Sequence, residues 1–294
     1  MNITWFLFED NVVDAFLVVA TLRNVKGDDM RFFRQIFGFI AEIVERRFMI
    51  YELAKRDFTS KYIVSVVGIW WAILEPLSYV VILWFIFEKG FKGGIPITYL
   101  VTGIIPFNFF RNTLMEGTSS IHSYSFLVKK VDFRLSLLAV VKLASNFALF
   151  AMMLPIIAVI LVVNGVYPSL YWLQLFYYIP LTCVLVVGFI WLTSAIEPFF
   201  PDIKNIIGII MQFLFFVTPL FWKVTALPPE MQSVIRINPL CYLIDGYRQS
   251  FLSTGWFWKS PAEALCFLGF TAVVGLAGIW VFKKMKPHFA DVVG

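Results

Sequence analysis

The chain has 294 residues, 60% of them hydrophobic and only 15% charged, against a charged share of about 25% in soluble domains, and its mean hydropathy is +0.81. A water-soluble fold of this length would lack the polar surface to cover such a core, whereas a bilayer accepts apolar side chains on the outside as well as the inside. The class is an all-α polytopic membrane protein; disorder, nucleic-acid binding and a disulfide scaffold are excluded, and the net charge of +5 reports basic residues kept on the cytoplasmic side.

The first apolar stretch, 12–22, is about half a span long, and Glu9, Asp10 and Asp14 at its start argue against a signal peptide. From 31 to 48, Phe33, Phe37, Ile40 and Val44 recur at helical spacing while Arg34, Glu42, Glu45 and Arg46 take other faces. That pattern predicts an amphipathic helix lying at the membrane surface. A second amphipathic stretch, 51–61, carries Glu52, Lys55, Arg56, Asp57 and Lys61 directly ahead of the first long apolar run. Residues 1–61 are thus expected to form a cytoplasmic or interfacial region, and 62–294 a transmembrane domain.

Six runs long enough to cross a hydrocarbon core of about 30 Å follow, at 63–87, 97–115, 135–163, 170–196, 206–222 and 262–282. Segment 223–261, between the fifth and sixth, is too apolar for an ordinary loop and is broken by Pro228, Pro229, Pro239 and Gly246. Short re-entrant helices fit it, since irregular backbone at membrane depth must be sheltered by protein. With the N-terminus inside, about 16 of the 24 Lys and Arg fall on inner segments. The outer segments hold Lys89, Lys92, Lys223, Arg236, Arg248 and Lys259. Both termini are therefore expected in the cytoplasm.

No GxxxxGK[ST] stretch occurs, so the chain is expected to have no nucleotide site of its own. Two histidines, His122 and His288, and the absence of HExxH and GxSxG disfavour a zinc or triad enzyme. Cys183, Cys241 and Cys266 are odd in number and lack CxxC spacing, which reads as buried thiols rather than a metal or redox site. Glu75, Arg111 and Glu116 are the main ionisable residues at membrane depth, where each is a functional candidate; pairing between Glu75 and Arg111 is the plainer alternative. On the first span Trp71, Glu75, Ser78, Tyr79, Ile82 and Ile86 share a helical face, and on the fifth Gly208, Gln212, Phe215, Phe216 and Pro219 do. Faces that mix polar and aromatic groups suit a passage for sugars; ordinary packing or lipid contact explains them as well.

Around the first span Arg56, Asp57, Phe58, Lys61, Tyr62, Ser65, Val67, Gly68, Trp71, Glu75, Pro76 and Leu77 stand at matching spacing. They resemble the RDxxxRYxxSxLGxxWxxxxPL pattern of the membrane subunits of polysaccharide-exporting ABC transporters, the ABC type-2 permeases. Lys61 and Val67 replace the usual Arg and Leu. Leu127, Lys130, Val131 and Phe133 resemble the family's LxxKVxFP loop, with Arg134 in place of Pro. Phe200, Asp202, Ile203 and Lys204, then Gln212, Pro219 and Phe221, resemble its FRDIK run and fifth span, with Pro201 in place of Arg. Leu227, Pro228, Asn238, Pro239, Leu240 and Arg248 resemble its LP and NPLxxxxxxxR stretch. The likeness runs from about Tyr51 to the C-terminus.

The resemblance implies a homodimer in the bacterial cytoplasmic (inner) membrane, paired with two ABC ATPase subunits that carry the ATP and Mg, no cofactor being bound by this chain. It implies export of a lipid-linked polysaccharide such as O antigen, capsule or teichoic acid, with an ABC exporter of a small lipid or drug as the rival. By the same likeness, Arg56, Asp57, Lys61, Lys129, Lys130 and Phe133 would couple to the ATPase. Trp71, Glu75, Tyr79, Gln212, Phe215 and Phe216 would line the conduit, and Pro228, Asn238, Pro239 and Arg248 would belong to the outer gate. A secondary carrier would show repeated halves, which are absent. A membrane transferase would need clustered carboxylates, and Asp132, Glu197 and Asp202 share only a side of the membrane.

Overall fold

The computed structural model describes residues 30–62, 67–90, 94–128 and 134–292. It divides into two compact units, Met1–Leu53 and Ala54–Gly294. In the first, helix α1 (Met30–Glu45) ends sooner than the predicted 31–48 helix, because the backbone turns at Arg46 before α2 (Arg47–Tyr62) begins. The sequence of α1 is strongly amphipathic. Ile40 and Val44 stand exposed, and an open apolar stripe of this kind requires lipid or protein to cover it. In α2 the apolar and charged residues are hardly segregated by face over the whole helix, so specific charge contacts rather than an apolar stripe determine what its second half does.

Among the described residues of the first long apolar run, helix begins at Trp70. Gly68 adopts φ +57°, a left-handed turn that costs glycine little, and α3 (Trp70–Trp84) follows, closing in a π-helical turn, Phe85–Gly90. Helix α4 (Ile97–Thr118) sits at the centre of the second unit, in contact with α3, α7 (Leu137–Val163), α8 (Leu175–Ile196), α9 (Ile203–Val217) and α11 (Pro239–Leu252). Leu100, Val101, Ile104 and Phe107 along it are fully buried. Two short helices, α5 (Ser120–Ser123) and α6 (Ser125–Val128), follow α4.

Among the described residues, four helical stretches are long and apolar enough to cross a bilayer: Trp70–Glu88, Leu137–Val163, Leu170–Ile196 and Pro261–His288. The other two predicted spans differ for separate reasons. Helix α4 has 22 residues, enough length, but it carries Thr102, Asn108, Arg111, Asn112, Thr113 and Glu116. Thr102 and Thr113 are buried within the protein, and the hydroxyls of Thr102, Thr113 and Thr118 donate to carbonyls one turn back, which satisfies them there. Helix α9 has only 15 residues, about 22 Å; the backbone extends at Thr218, ahead of Pro219, inside what the sequence presents as one run to 222.

Segment 223–261 folds into short helices, α10 (Pro229–Arg236) and α11, with 3-10 turns at Val224–Ala226 and Phe257–Lys259. Leu240, Tyr247 and Phe251 of α11 are buried, and α11 rests on α4, α8 and the Leu170–Gln174 turn. That is the shelter irregular backbone needs. Helix α12 (Pro261–Met285) packs along α8, and α13 (Phe289–Val292) ends the described chain.

Candidate functional site

Two polar clusters hold opposite ends of α4, and between them two faces remain uncovered. At the Glu116 end, two acids and two bases alternate in space. Asp57 Oδ1 lies 2.5 Å from Lys142 Nζ, and Lys61 Nζ lies 2.5 Å from Glu116 Oε2 and 3.6 Å from Asp57 Oδ2. Asn146 donates to Glu116 Oε2 (2.9 Å), Lys61 donates to Ser145 Oγ (3.4 Å), and the Tyr124 hydroxyl donates to Asp57 Oδ1 (3.3 Å). Lys142 Nζ stands 5.3 Å from the Tyr124 ring centroid. Lys142, Ser145 and Asn146 are buried. The cluster therefore joins α2, α4, α7 and the residue between α5 and α6, with no net charge left over.

Burial pushes the Asp57 carboxyl up, but the hydrogen bond from Lys142 and the charges of Lys142 and Lys61 outweigh it and hold the group below its ordinary value. Burial first, and then the Asp57 charge, push the Tyr124 phenol up, so it stays protonated and donates. Because the folded Asp57 pKa is depressed, its stabilisation is fully present above an unfolded value of about 3.9 and is lost only as pH falls through the lower folded value. The Tm difference between wild type and Asp57→Asn in detergent should accordingly stay level from pH 8 to 5 and shrink only below about pH 4. A difference that disappears by pH 6 would contradict this pairing.

At the other end, the guanidinium of Arg248 is buried in a cradle. Nη1 donates to the Pro219 carbonyl (2.6 Å), Nη2 to that of Leu220 (2.8 Å) and Nε to that of Tyr99 (3.4 Å). Its Cζ lies 3.6 Å from the Tyr99 ring centroid, and Asp245 Oδ1 is 3.6 Å from Nη1. Tyr99 in turn donates to the Trp222 carbonyl at 3.0 Å. A Cβ at Gly103 would come within 2.6 Å of Arg248 Nη2, so α4 must carry glycine there for the arginine to enter. Asn238 accepts from the Leu240 amide as the N-cap of α11 and donates to Thr218 Oγ1, both at 3.0 Å, with Pro239 as the first helical residue. Pro228, exposed, precedes α10. The NPL stretch and its distant arginine thus fasten the backbone that follows α9 to α4 and α11.

Of the proposed lining residues, Trp71 and Tyr79 of α3 are 53% and 46% exposed and Glu75 is exposed with them; on α9, Phe216 is 59% exposed and Gln212 is open. Phe215 differs, turning inward with its ring 5.6 Å from that of Phe107 on α4 and 5.7 Å from that of Phe221. Helices α3 and α9 both contact α4, and beyond their ends Phe87 stacks on Phe221 at 5.4 Å. Glu75 is exposed and Arg111 half-buried, and among the described residues no ion pair joins them. Arg56 is exposed on α2, whereas Asp57 and Lys61 face into the cluster. Lys129, Lys130 and Phe133 lie outside the described residues.

Tyr124, Lys142, Ser145 and Asn146 in the first cluster, and Tyr99, Gly103 and Thr218 in the second, stand outside the motifs that mark the family. Lys142 did carry a signal, a lone cation eight residues into an apolar run that begins at 135, since an ionisable group there needs a partner.

The family described as ABC-2 type transporter matches residues 49–252. The O-antigen export system permease protein RfbA of Klebsiella pneumoniae is 26% identical over 248 residues, covering 82% of this chain and 93% of that protein. The protein of the same name from Myxococcus xanthus is 22% identical over 260 residues, 86% of this chain and 98% of its own length. The polysialic acid transport protein KpsM of Escherichia coli is 21% identical over 229 residues, 74% and 86% of the two chains. A family match across most of the chain, on an all-α bundle in which the motif residues Asp57, Lys61, Asn238 and Arg248 stand in the two polar clusters, places this protein in the ABC-2 type transporter family of membrane subunits.

Proposed function

We propose that this chain is the membrane subunit of an ABC exporter that carries a lipid-linked polysaccharide across the bacterial cytoplasmic membrane, driven by a separate ATPase. The observation that carries this is likeness along nearly the whole length to permeases named for O-antigen export. A polymer far longer than any pocket of about 300 to 1,000 Å³ needs a continuous passage and a push. The push comes from the partner ATPase, which holds the ATP and Mg; the lack of a phosphate-cradling GxxxxGK[ST] stretch here agrees with that division of labour.

The passage takes two copies. Only 6% of the most apolar window of Trp70–Glu88 is buried in the single chain, and the open faces of α3 and α9 mix aromatic rings with Glu75 and Gln212. One chain supplies one wall and its copy the other. The distribution of Lys and Arg supports both termini in the cytoplasm. Likeness to the polysialic acid transport protein favours a capsular polymer as the second reading.

Deleting the gene should abolish surface polysaccharide detected on whole cells by periodate oxidation and an impermeant hydrazide dye, with polymer accumulating inside. Plasmid expression should restore it. Undiminished surface polymer in the deletion strain would overturn the assignment, and the composition of the retained polymer would separate O antigen from capsule.

A further inference from the structure

We propose that the crossed pairs Asp57–Lys142 and Lys61–Glu116 are the mechanical link by which movement of α2 reaches the spans, with Lys142, Glu116, Asn146 and Tyr124 as positioning residues for export. This rests on the proposed ATP-driven export. Helix α2 has two unlike sides: Glu52, Lys55 and Arg56 are exposed, while Asp57 and Lys61, one turn apart, face α4 and α7. A partner pushing on the exposed side moves a helix whose opposite side is held by charge.

The alternation of sign makes the hold stiff. Lys61 contacts both carboxylates, Asp57 contacts both ammonium groups, and Asn146, Ser145 and Tyr124 add hydrogen bonds to Glu116, Lys61 and Asp57 in turn. Sliding α2 past the two spans strains one interhelical pair on each, Lys61–Glu116 on α4 and Asp57–Lys142 on α7. Asp57–Lys142 is the more buried pair, and a buried charge left without its partner is strongly unfavourable, so α7 follows the helix rather than release it, while Lys61–Glu116 ties α4 to the same movement. The covalent route from α2 to α3 passes instead through the turn at Gly68. The ion cluster therefore reaches the central helix α4 directly, and through α4 the two open faces on α3 and α9. Amphipathic docking does not explain why acids and bases are placed on three separate elements facing inward; transmission does.

The test uses the full complex, purified with the ATPase that accompanies the chain. Two quantities are measured per complex: ATP hydrolysis in proteoliposomes, and surface polymer on cells by the hydrazide label. Lys142→Met and Asp57→Asn should leave hydrolysis running while export per complex falls about tenfold or more, whereas Lys142→Arg should keep both. The swap Asp57→Lys with Lys142→Asp should recover export relative to either single reversal. A purely structural role would lower the amount of complex and leave export per ATP unchanged, and that result overturns the proposal. So does a swapped chain that reaches the membrane with its ATPase yet exports no better than the single reversals. If the unmodified chain showed no ATP-dependent export, the functional reading itself would fall, and this role with it.

Discussion

Arg248→Ala should remove most of the folded protein from the membrane. Two charge-assisted hydrogen bonds, to the carbonyls of Pro219 and Leu220, and a longer one to Tyr99 vanish together, each worth roughly 1.5–3 kcal/mol. Removing a buried cation also removes its desolvation cost, so the net loss is smaller than the sum, about 3–5 kcal/mol. That is a large fraction of a typical total stability of about 5–15 kcal/mol. The Pro219 and Leu220 carbonyls sit in a buried cradle, so losing the guanidinium leaves them without a donor. Lys at 248 keeps the charge but not the fork, and should recover less than half of the loss. Gly103→Val attacks the same cradle from α4, where a Cβ would meet Nη2 at 2.6 Å, and should mimic Arg248→Ala. Membrane abundance and Tm in detergent are the readouts. Because Arg248 is buried rather than lining a surface, export should fall in proportion to abundance; wild-type abundance with altered export would return this residue to a gating role.

Apolar run length made the spans legible because a bilayer demands it, and 170–196 matches its helical stretch to the residue. Where an element answers to protein instead of lipid, length and hydropathy carry less. Helix α4 is polar for a span because it is central. Helix α3 begins at Trp70, two residues after the left-handed turn at Gly68, a boundary that hydropathy does not mark. Partnership was the hardest property to read. Lys61 meets Glu116 across 55 residues and Asp57 meets Lys142 across 85, separations at which one sequence offers no register between two helices. Motif residues located the clusters without revealing their direction: Asp57 and Lys61 lie beside Arg56 in the chain yet face the other way. Phe215 and Phe216 are neighbours on α9 in the same sense, one packed against Phe107 and the other open.

That last difference yields the sharpest prediction about the passage. Tyr79→Ala and Phe216→Ala should each slow polymer export about fivefold, the effect of losing one ring contact worth about 1 kcal/mol, while the complex stays assembled and stable, because both side chains are about half exposed. Phe215→Ala should instead lower stability: its ring sits among Phe107, Phe216 and Phe221, and truncating a packed aromatic costs about 3 kcal/mol or somewhat less where it is only partly buried. Cysteines at 79 and 216 should react with a water-soluble thiol reagent during turnover, whereas cysteines at Val80 and Met211, buried on the same helices, should not. Sugar rings held by apolar contact can slide without satisfying a fixed set of hydrogen bonds, which is what an advancing polymer requires of a wall. If positions 79 and 216 stay unreactive in water yet carry a lipid-soluble label, those faces meet the bilayer, and the conduit must then run along other helices of the bundle.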